Sequence, residues 1–254
     1  GGLGFLVWHE LSALKFWRIR TLRGGLSLHT RMVLMASAVL TAIGIGSFLF
    51  VEWNGTLAEL SVPHRLLAAG FQGVTSRTAG FNLVPMDQVA PPTLFMTIGL
   101  MFIGGAPCST AGGIKVTTVV VMVLTLTTML RGRRDITFSN RTLPESVMRE
   151  AIAISTLGVF QVLAGFGLLL LTEDLTRFVG RFGAVDALLF EAVSAFGTTG
   201  LSTGITPRLS VIGHLVLTGM MFLGRLGPMT LASAIGRKGV QQRIRYPEED
   251  VVLG

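Results

Sequence analysis

Two short stretches that combine threonine with glycine are the most chemically distinctive part of this sequence. Thr78, Ala79 and Gly80 lie in "FQGVTSRTAGFN", and Thr198, Thr199 and Gly200 lie in "SAFGTTGLSTG". Glycine permits backbone conformations that other residues avoid, and small neighbours keep side chains away from the main-chain oxygens. Carbonyl oxygens turned to one side can replace the water around a permeating cation. The two stretches therefore predict a cation-binding site built from main-chain carbonyls.

The two stretches lie 120 residues apart, and the rest of the chain repeats over the same distance. This shift, without a gap, pairs Thr78 with Thr198, Gly80 with Gly200, Gly99 with Gly219, Met101 with Met221, Phe102 with Phe222 and Gly104 with Gly224. Internal repeats indicate one structural unit used more than once. The sequence thus predicts the end of a preceding unit and its loop in 1–27, one unit in 28–147 and another in 148–254.

The composition predicts an all-α integral membrane protein. Half of the residues are hydrophobic and only 14% are charged, against about 25% in soluble domains. A membrane-spanning helix needs about 20 apolar residues. The runs that qualify are Met32–Val51, Thr93–Leu130, Ile152–Leu171 and, more weakly, Val211–Ala234.

The basic residues predict the orientation of the chain in the cell membrane. Five Lys or Arg residues lie in Lys15–Arg31, five in Arg131–Arg149 and four in Arg237–Arg245. Cytoplasmic loops collect Lys and Arg, so these loops and the C-terminus are expected in the cytoplasm. The connections around Glu52–His64 and Glu173–Asp186 are then expected outside. Orientation explains the clusters without nucleic acid as a partner, although a patch that binds membrane lipid is an alternative.

Two short segments must enter the membrane without crossing it. Basic loops on the same side require an even number of crossings, and the two long apolar runs between each pair already supply it. Leu66–Val74 and Ala187–Phe196 are about half the length of a span, so we predict half-helices that dip in from outside. The glycine stretches would then return the chain to the surface. A purely structural re-entrant turn is the alternative, but two turns at the same offset favour a functional one.

The longest apolar run is predicted to break in its middle. Gly104–Lys115, "GGAPCSTAGGIK", contains four glycines and a proline, and proline removes a helix hydrogen bond and clashes with the preceding turn. The alternative is a small-residue face for close helix packing, which would need spaced rather than consecutive small residues. We therefore predict an irregular loop at membrane depth beneath the cation site.

Lys115 and Arg225 are predicted to be buried cations near this loop. A charge at the bilayer centre costs about 2.5–3.5 kcal/mol on insertion scales, so it indicates function. Under the 120-residue shift Arg225 aligns with Gly105, and we expect it to donate to loop carbonyls and to oppose cation passage. Lys115 either takes part in gating or extends towards the cytoplasm.

The motifs in this order resemble a superfamily of potassium transporters that includes KtrB and TrkH. The motifs that carry the resemblance are "TSRTAGF", "SAFGTTGLSTG", "IGGAPCSTAGGIK" and "GRLGPMTLASAI". The closing "YPEEDVVLG" resembles KtrB more than TrkH. The resemblance covers essentially the whole chain, but the family has four repeats around one pore. It implies that this chain holds the end of the second repeat and the third and fourth repeats of a pseudo-fourfold pore.

The resemblance also implies roles for individual residues. The carbonyls of the selectivity filter would come from Thr78, Ala79, Gly80, Thr198, Thr199 and Gly200. Glycine at both filter positions, Gly80 and Gly200, favours K⁺, since serine there points to Na⁺ permeability. The gate would consist of Gly104, Gly105, Ala106, Pro107, Ser109, Thr110, Gly112, Gly113, Lys115 and Arg225. Arg77 would repel an ion if it faced the filter, so we expect it behind the filter, where Glu191 is a conceivable partner. The alternative is a solvated arginine at the outer mouth.

The function predicted from the resemblance is K⁺ uptake by a KtrB-like pore subunit, either passive or Na⁺-coupled. Family membership implies a homodimer and a cytoplasmic nucleotide-binding regulatory subunit, similar to KtrA, with no organic cofactor in this chain. The alternatives are a TrkH-type transporter and the channel-like subunit of a K⁺-pumping ATPase. A secondary transporter of a small solute would have inverted repeats, whereas basic loops recurring on one side predict parallel ones. The four histidines lack metal-ligand spacing, and no catalytic grouping indicates an enzyme.

Overall fold

The computed structural model describes residues 2–16, 26–132, 136–139, 141–178, 180 and 182–227. Helices dominate this part of the chain: α1 (Phe5–Phe16), α2 (Leu28–Glu52), α3 (Val62–Thr75), α4 (Pro91–Phe102), α5 (Val116–Leu130), α6 (Glu145–Thr172), α7 (Ala184–Gly197) and α8 (Val211–Leu226). Two 3₁₀ turns lie at Leu175–Arg177 and Thr206–Arg208.

One short hairpin departs from the all-helical prediction. Strands β1 (Thr137–Phe138) and β2 (Arg141–Thr142) pair antiparallel within the basic loop that connects α5 to α6. Two residues per strand make a small contribution to the fold, so the architecture remains helical.

The long helices α2 and α6 contain the two apolar runs that begin each predicted unit. They have 25 and 28 residues with mean hydropathy of 2.1 and 2.0, so both can cross a membrane by length and composition. The side chain of Ser27 caps α2 by accepting the Thr30 amide at 3.2 Å. The end of Val211–Ala234, the basic cluster from Arg237 and the closing motif lie outside the described residues.

Helices α3 and α7 are longer than the sequence suggested. Each has 14 residues, whereas the predicted segments Leu66–Val74 and Ala187–Phe196 have about nine or ten. The difference lies mainly in the first turn, where Pro63 suits the start of α3 because proline is favoured at the first helical positions. At 1.5 Å per residue each helix is about 21 Å long, still short of a hydrocarbon core of about 30 Å.

Helix α7 forms the centre of the core. It packs against α4, α6 and α8, and its Leu188, Phe190 and Phe196 are fully buried. The ring of Phe196 stacks on that of Phe102 at the end of α4, with centroids 5.8 Å apart. Helix α3 packs mainly on α2. The residues after α7 therefore start from a fixed position within the fold.

Two buried glutamates hold the start of the helix that follows each candidate site. Glu52 is 1% exposed, and its carboxylate accepts the Ala90 amide at 2.7 Å and the Thr93 hydroxyl at 2.6 Å. Glu173 in the second unit accepts the Ser210 amide at 3.1 Å and its hydroxyl at 2.6 Å. Ala90 and Ser210 lie just before α4 and α8, where the helix dipole favours negative charge.

Replacing Glu52 with alanine is expected to lower the stability of the protein by about 2–3 kcal/mol, because buried donors lose their acceptor. The apparent melting temperature in detergent, followed by intrinsic fluorescence, would measure this loss. Glu59→Ala is the matched control, since Glu59 is exposed and surface substitutions stay within about 0.5 kcal/mol. Equal melting temperatures for the two variants would contradict a capping role for Glu52.

Candidate functional site

The loops after α3 and α7 adopt the same unusual backbone. Thr78 and Gly80 have φ of 69° and 77°, and Thr198 and Gly200 have φ of 50° and 89°. Positive φ is a genuine outlier for a β-branched residue, and such strain clusters at functional sites. The threonine and glycine that repeat in the sequence therefore also share the same positive φ in both loops.

The two loops touch each other at their glycines. A β-carbon built on Gly200 would lie 3.4 Å from the Cα of Gly80. A β-carbon built on Gly80 would overlap the carbonyl oxygen of Thr199. Side chains other than hydrogen are therefore excluded from Gly80 in this arrangement, and the structure brings Gly80, Thr199 and Gly200 together.

A hydroxyl near the end of each preceding helix holds the residue that follows the glycine. Thr75 donates to the Phe81 carbonyl at 2.7 Å, and Ser194 donates to the Leu201 carbonyl at 2.6 Å. Among the described residues, no hydrogen bond uses the carbonyl oxygens of residues 78–80 or 198–200. A carbonyl oxygen that accepts no hydrogen bond from the protein can bind water or a cation.

The predicted pairing of Arg77 with Glu191 is wrong. Arg77 donates to the Ser37 carbonyl on α2 at 3.2 Å and to the Gly104 carbonyl at 3.4 Å. The buried carboxylate of Glu191 accepts instead from the residues after its own loop: Ser202 at 2.6 Å, the Thr203 amide at 3.0 Å and Thr206 at 2.9 Å. These neutral donors already satisfy the carboxylate, so it needs no cation as a partner.

The helix breaks between α4 and α5, where glycine and proline are concentrated. We call residues 103–115 the gate loop, after the role predicted for them. Its two ends pair through Gly104 N–H to the Ile114 carbonyl at 2.9 Å and Ile114 N–H to the Phe102 carbonyl at 3.3 Å. A β-carbon on Gly104 would overlap the Gly112 carbonyl, so the ends approach closely because glycine occupies the position.

The gate loop is held between the start of the chain and the loop after α7. On one side, its Ala106 amide donates to the Gly2 carbonyl at 2.8 Å and its Cys108 carbonyl accepts from Phe5 at 3.0 Å. On the other side, the Gly112 amide donates to the side chain of Thr198 at 2.9 Å. The loop therefore lies against the loop after α7, as well as against the start of the chain.

The predicted gate residues divide into a buried base and an exposed tip. The buried members are Gly104, Gly105, Ala106, Gly112 and Gly113, whereas Pro107 and Ser109 are half-buried and Thr110 is exposed. Cys108 at the tip is also exposed. The base is therefore packed within the fold, and the tip is the accessible part of the loop.

The expectation that both cations are buried is wrong for Arg225. This residue is exposed on the last turn of α8, and its guanidinium donates to the Thr110 carbonyl of the gate loop. Lys115 is half-buried and donates to the Ala111 carbonyl. The side chain of Lys115 thus bonds to its own loop and does not extend away from it. Arg225 donates to a loop carbonyl, as expected.

Sequence reasoning missed the residues that support the loops. These are Glu52, Glu173, Thr75, Ser194 and the side chain of Thr198. The two glutamates could have been found, because each ends a long apolar run one residue off the 120-residue repeat. The contact from Gly112 to Thr198 joins residues 86 apart and leaves no pattern in the sequence.

The chain is similar in sequence to bacterial potassium uptake proteins. The profile of the TrkH family, described as a cation transport protein, matches residues 1–238. The Ktr system potassium uptake protein B of Bacillus subtilis is 36% identical over the whole chain, which covers 54% of that protein. The potassium/sodium uptake protein NtpJ of Enterococcus hirae is 34% identical over the whole chain, which covers 55% of it. The chain thus spans about half the length of these relatives.

The fold is similar to that of a solved transporter. The crystal structure of the potassium transporter TrkH from Vibrio parahaemolyticus matches 82% of this chain with a TM-score of 0.61, at 20% identity, and the chain covers 44% of that structure. At this identity the likeness concerns the fold alone.

Proposed function

The chain belongs to the TrkH family of cation transport proteins, and from this premise we propose that it forms half of a K⁺-conducting pore in the cell membrane. The pore would be that of a KtrB-like uptake system. The relatives that match the whole chain are named for potassium uptake or for potassium and sodium uptake, which supports K⁺ as the transported ion.

The observation that carries this proposal is a set of six carbonyl oxygens, on two matched loops, that accept no hydrogen bond from the described part of the chain. Thr78, Ala79 and Gly80 would supply one row of filter oxygens, and Thr198, Thr199 and Gly200 would supply the next. Rings of backbone carbonyls replace the hydration shell of K⁺ in selective channels. The preceding half-helices would add the negative ends of their dipoles, so the site favours a cation over an anion.

A complete filter requires two further units, which we propose come from the part of the protein that the relatives have and this chain lacks. The two loops touch at their glycines, where a β-carbon built on Gly200 would lie 3.4 Å from the Gly80 Cα, so they would form adjacent sides of a ring. Two more loops would complete a pseudo-fourfold ring around a common axis. The units 28–147 and 148–254 would then be its third and fourth repeats, with 1–27 as the end of the second.

The gate loop is proposed to close this pore below the filter, where it already contacts Thr198. Arg225 would hold the closed loop through Thr110 and place a positive charge in the path of the ion. The basic loops and the C-terminus would face the cytoplasm. A homodimer and a cytoplasmic nucleotide-binding partner are proposed as in the Ktr systems. Transport would be passive or coupled to Na⁺.

Complementation tests the proposal directly. The complete protein is expected to restore growth of K⁺-uptake-deficient bacteria at micromolar to low millimolar K⁺, and the same cells should take up K⁺ in preference to Na⁺. The control is the same protein without the gate-loop and filter region of this chain. Growth that stays dependent on high external K⁺, with normal membrane insertion of the protein, would contradict the proposed function.

A further inference from the structure

The side chain of Thr198 fits closely against the gate loop. Its hydroxyl oxygen accepts the Gly112 amide at 2.9 Å. A β-carbon built on Gly112 would lie 2.6 Å from that oxygen and 2.8 Å from the Thr198 methyl group. Thr198 and Gly112 therefore pack closely, and a residue larger than glycine at position 112 would displace the loop.

Thr198 is also the strained residue of the loop after α7. Its φ of 50° is unfavourable for a β-branched side chain, and such a conformation persists only where the surroundings hold it. The bond to Gly112 is one of the contacts that hold it. The orientation of the Thr198 peptide, which would carry a filter carbonyl, is thus tied to the position of the gate loop.

The equivalent residue of the other unit lacks this contact. Thr78 has a similar φ of 69°, but its hydroxyl forms no hydrogen bond with any described residue. The loop after α3 instead meets the gate loop through Arg77, whose guanidinium lies 3.4 Å from the Gly104 carbonyl oxygen. The hydroxyl link therefore exists in one unit only.

We propose that the Thr198–Gly112 hydrogen bond couples the filter to the gate, so that K⁺ in the filter and the position of the gate loop affect each other. This inference rests on the proposed function of both loops. Coupling between two sites is reciprocal. When the hydroxyl is removed, the Gly112 amide is buried without a partner in the observed position of the gate loop against Thr198, but it can bond to water once the loop moves away. The observed position is therefore destabilised, and the loop no longer responds to the ion.

The substitution Ala106→Cys offers a probe of the gate loop that does not depend on transport. Ala106 is fully buried at the base of the loop, so a thiol there reacts only when the loop moves. Cys108, the only cysteine of this chain, is exposed at the tip and would be replaced by serine. The complete protein, with cysteines elsewhere replaced, would be labelled in detergent with a water-soluble maleimide. Labelling rates would be compared in KCl and in N-methylglucamine chloride at equal ionic strength.

Three variants separate the hydroxyl from other effects of the site. Thr198→Val removes the hydroxyl at nearly constant volume, and Thr198→Ser keeps it. Thr218→Val is the matched control, because Thr218 lies exposed on α8, outside the filter and the gate loop, and its hydroxyl donates only to the His214 carbonyl of its own helix. We expect K⁺ to change the labelling rate in the unaltered protein, in Thr198→Ser and in Thr218→Val. In Thr198→Val we expect labelling about tenfold faster without K⁺, which corresponds to about 1.4 kcal/mol, and no response to K⁺.

Several results would overturn the coupling. One is a K⁺ response in Thr198→Val equal to that of the unaltered protein, and another is an equal loss of response in Thr198→Val and Thr218→Val. A labelling rate that K⁺ does not change in the unaltered protein would do so as well. If the valine variant does not fold, Thr198→Ala removes the same hydroxyl and carries the same expectations.

The stabilisation of the protein by K⁺ distinguishes this inference from the proposed function. If K⁺ raises the melting temperature of every variant but does not affect labelling at position 106, the coupling is refuted and the filter is retained. K⁺ that stabilises none of them, while Na⁺ and K⁺ act alike, would refute the filter itself and the coupling with it.

Discussion

Replacement of Gly80 by serine is expected to reduce the preference of the pore for K⁺ over Na⁺ by about tenfold or more. A side chain at positive φ costs about 1–2 kcal/mol for an L-residue, and Gly80 has φ of 77°. In addition, its β-carbon would overlap the carbonyl oxygen of Thr199. The serine must displace an oxygen of the neighbouring loop, so the spacing of the ion ligands changes.

Gly200→Ser is also expected to reduce the preference for K⁺ over Na⁺, but by less than Gly80→Ser. Its φ of 89° is also unfavourable, yet its β-carbon would meet the Gly80 Cα at an ordinary distance of 3.4 Å. The measurement is competitive uptake of K⁺ and Na⁺ in liposomes that contain the complete protein.

Gly204→Ser is the matched control for both variants. Gly204 also has positive φ, at 85°, but a β-carbon there meets no atom within 4 Å. The control should keep the selectivity of the unaltered protein. Unchanged selectivity in both Gly80→Ser and Gly200→Ser would refute the filter.

Arg225→Ala is expected to raise K⁺ flux in the absence of the regulatory partner by up to about tenfold. The guanidinium donates to the Thr110 carbonyl of the gate loop. A hydrogen bond from a charged group contributes about 1.5–3 kcal/mol, and less where it is exposed. In the proposed gate, loss of this bond would destabilise the closed position of the loop, and loss of the positive charge would remove electrostatic opposition to the ion.

Two further variants separate these effects. Arg225→Gln can still donate a hydrogen bond but carries no charge, and Arg225→Lys keeps the charge with altered geometry. Flux should decrease in the order alanine, glutamine, lysine, as measured by K⁺ efflux from liposomes. Flux in Arg225→Ala equal to that of the unaltered protein, at equal protein incorporation, would contradict the gating role of this arginine.

The long apolar runs and the repeat were accessible from the sequence, because both are patterns along the chain. The hydropathy of α2 and α6 is high over more than 20 residues, and the glycines at 80 and 200 mark positions where the backbone takes positive φ. The family was also recognisable from its motifs, and the comparison with the TrkH profile confirms it.

The parts that could not be predicted depend on contacts between distant residues. Arg77 and Glu191 have opposite charges at plausible places, but each finds closer neutral partners in carbonyls and hydroxyls. The exposure of Arg225 likewise depends on which helices pack around α8. The first turns of α3 and α7 were missed because hydropathy does not mark where a helix begins. In α3 the proline at the first helical positions was the available signal.

The bonds from Gly2 and Phe5 to the gate loop bear on how proteins of this kind can be recombined. A chimaera joined at residue 27 would transplant the loop of one parent onto the amino-terminal segment of another. The main-chain bonds tolerate sequence differences. A β-carbon built on Gly4, however, would lie 2.5 Å from the Pro107 carbonyl oxygen, so the parent that supplies the amino-terminal segment must have glycine at this position. Functional exchange of modules should therefore succeed with a junction upstream of Gly2 and fail with one at the apparent repeat boundary.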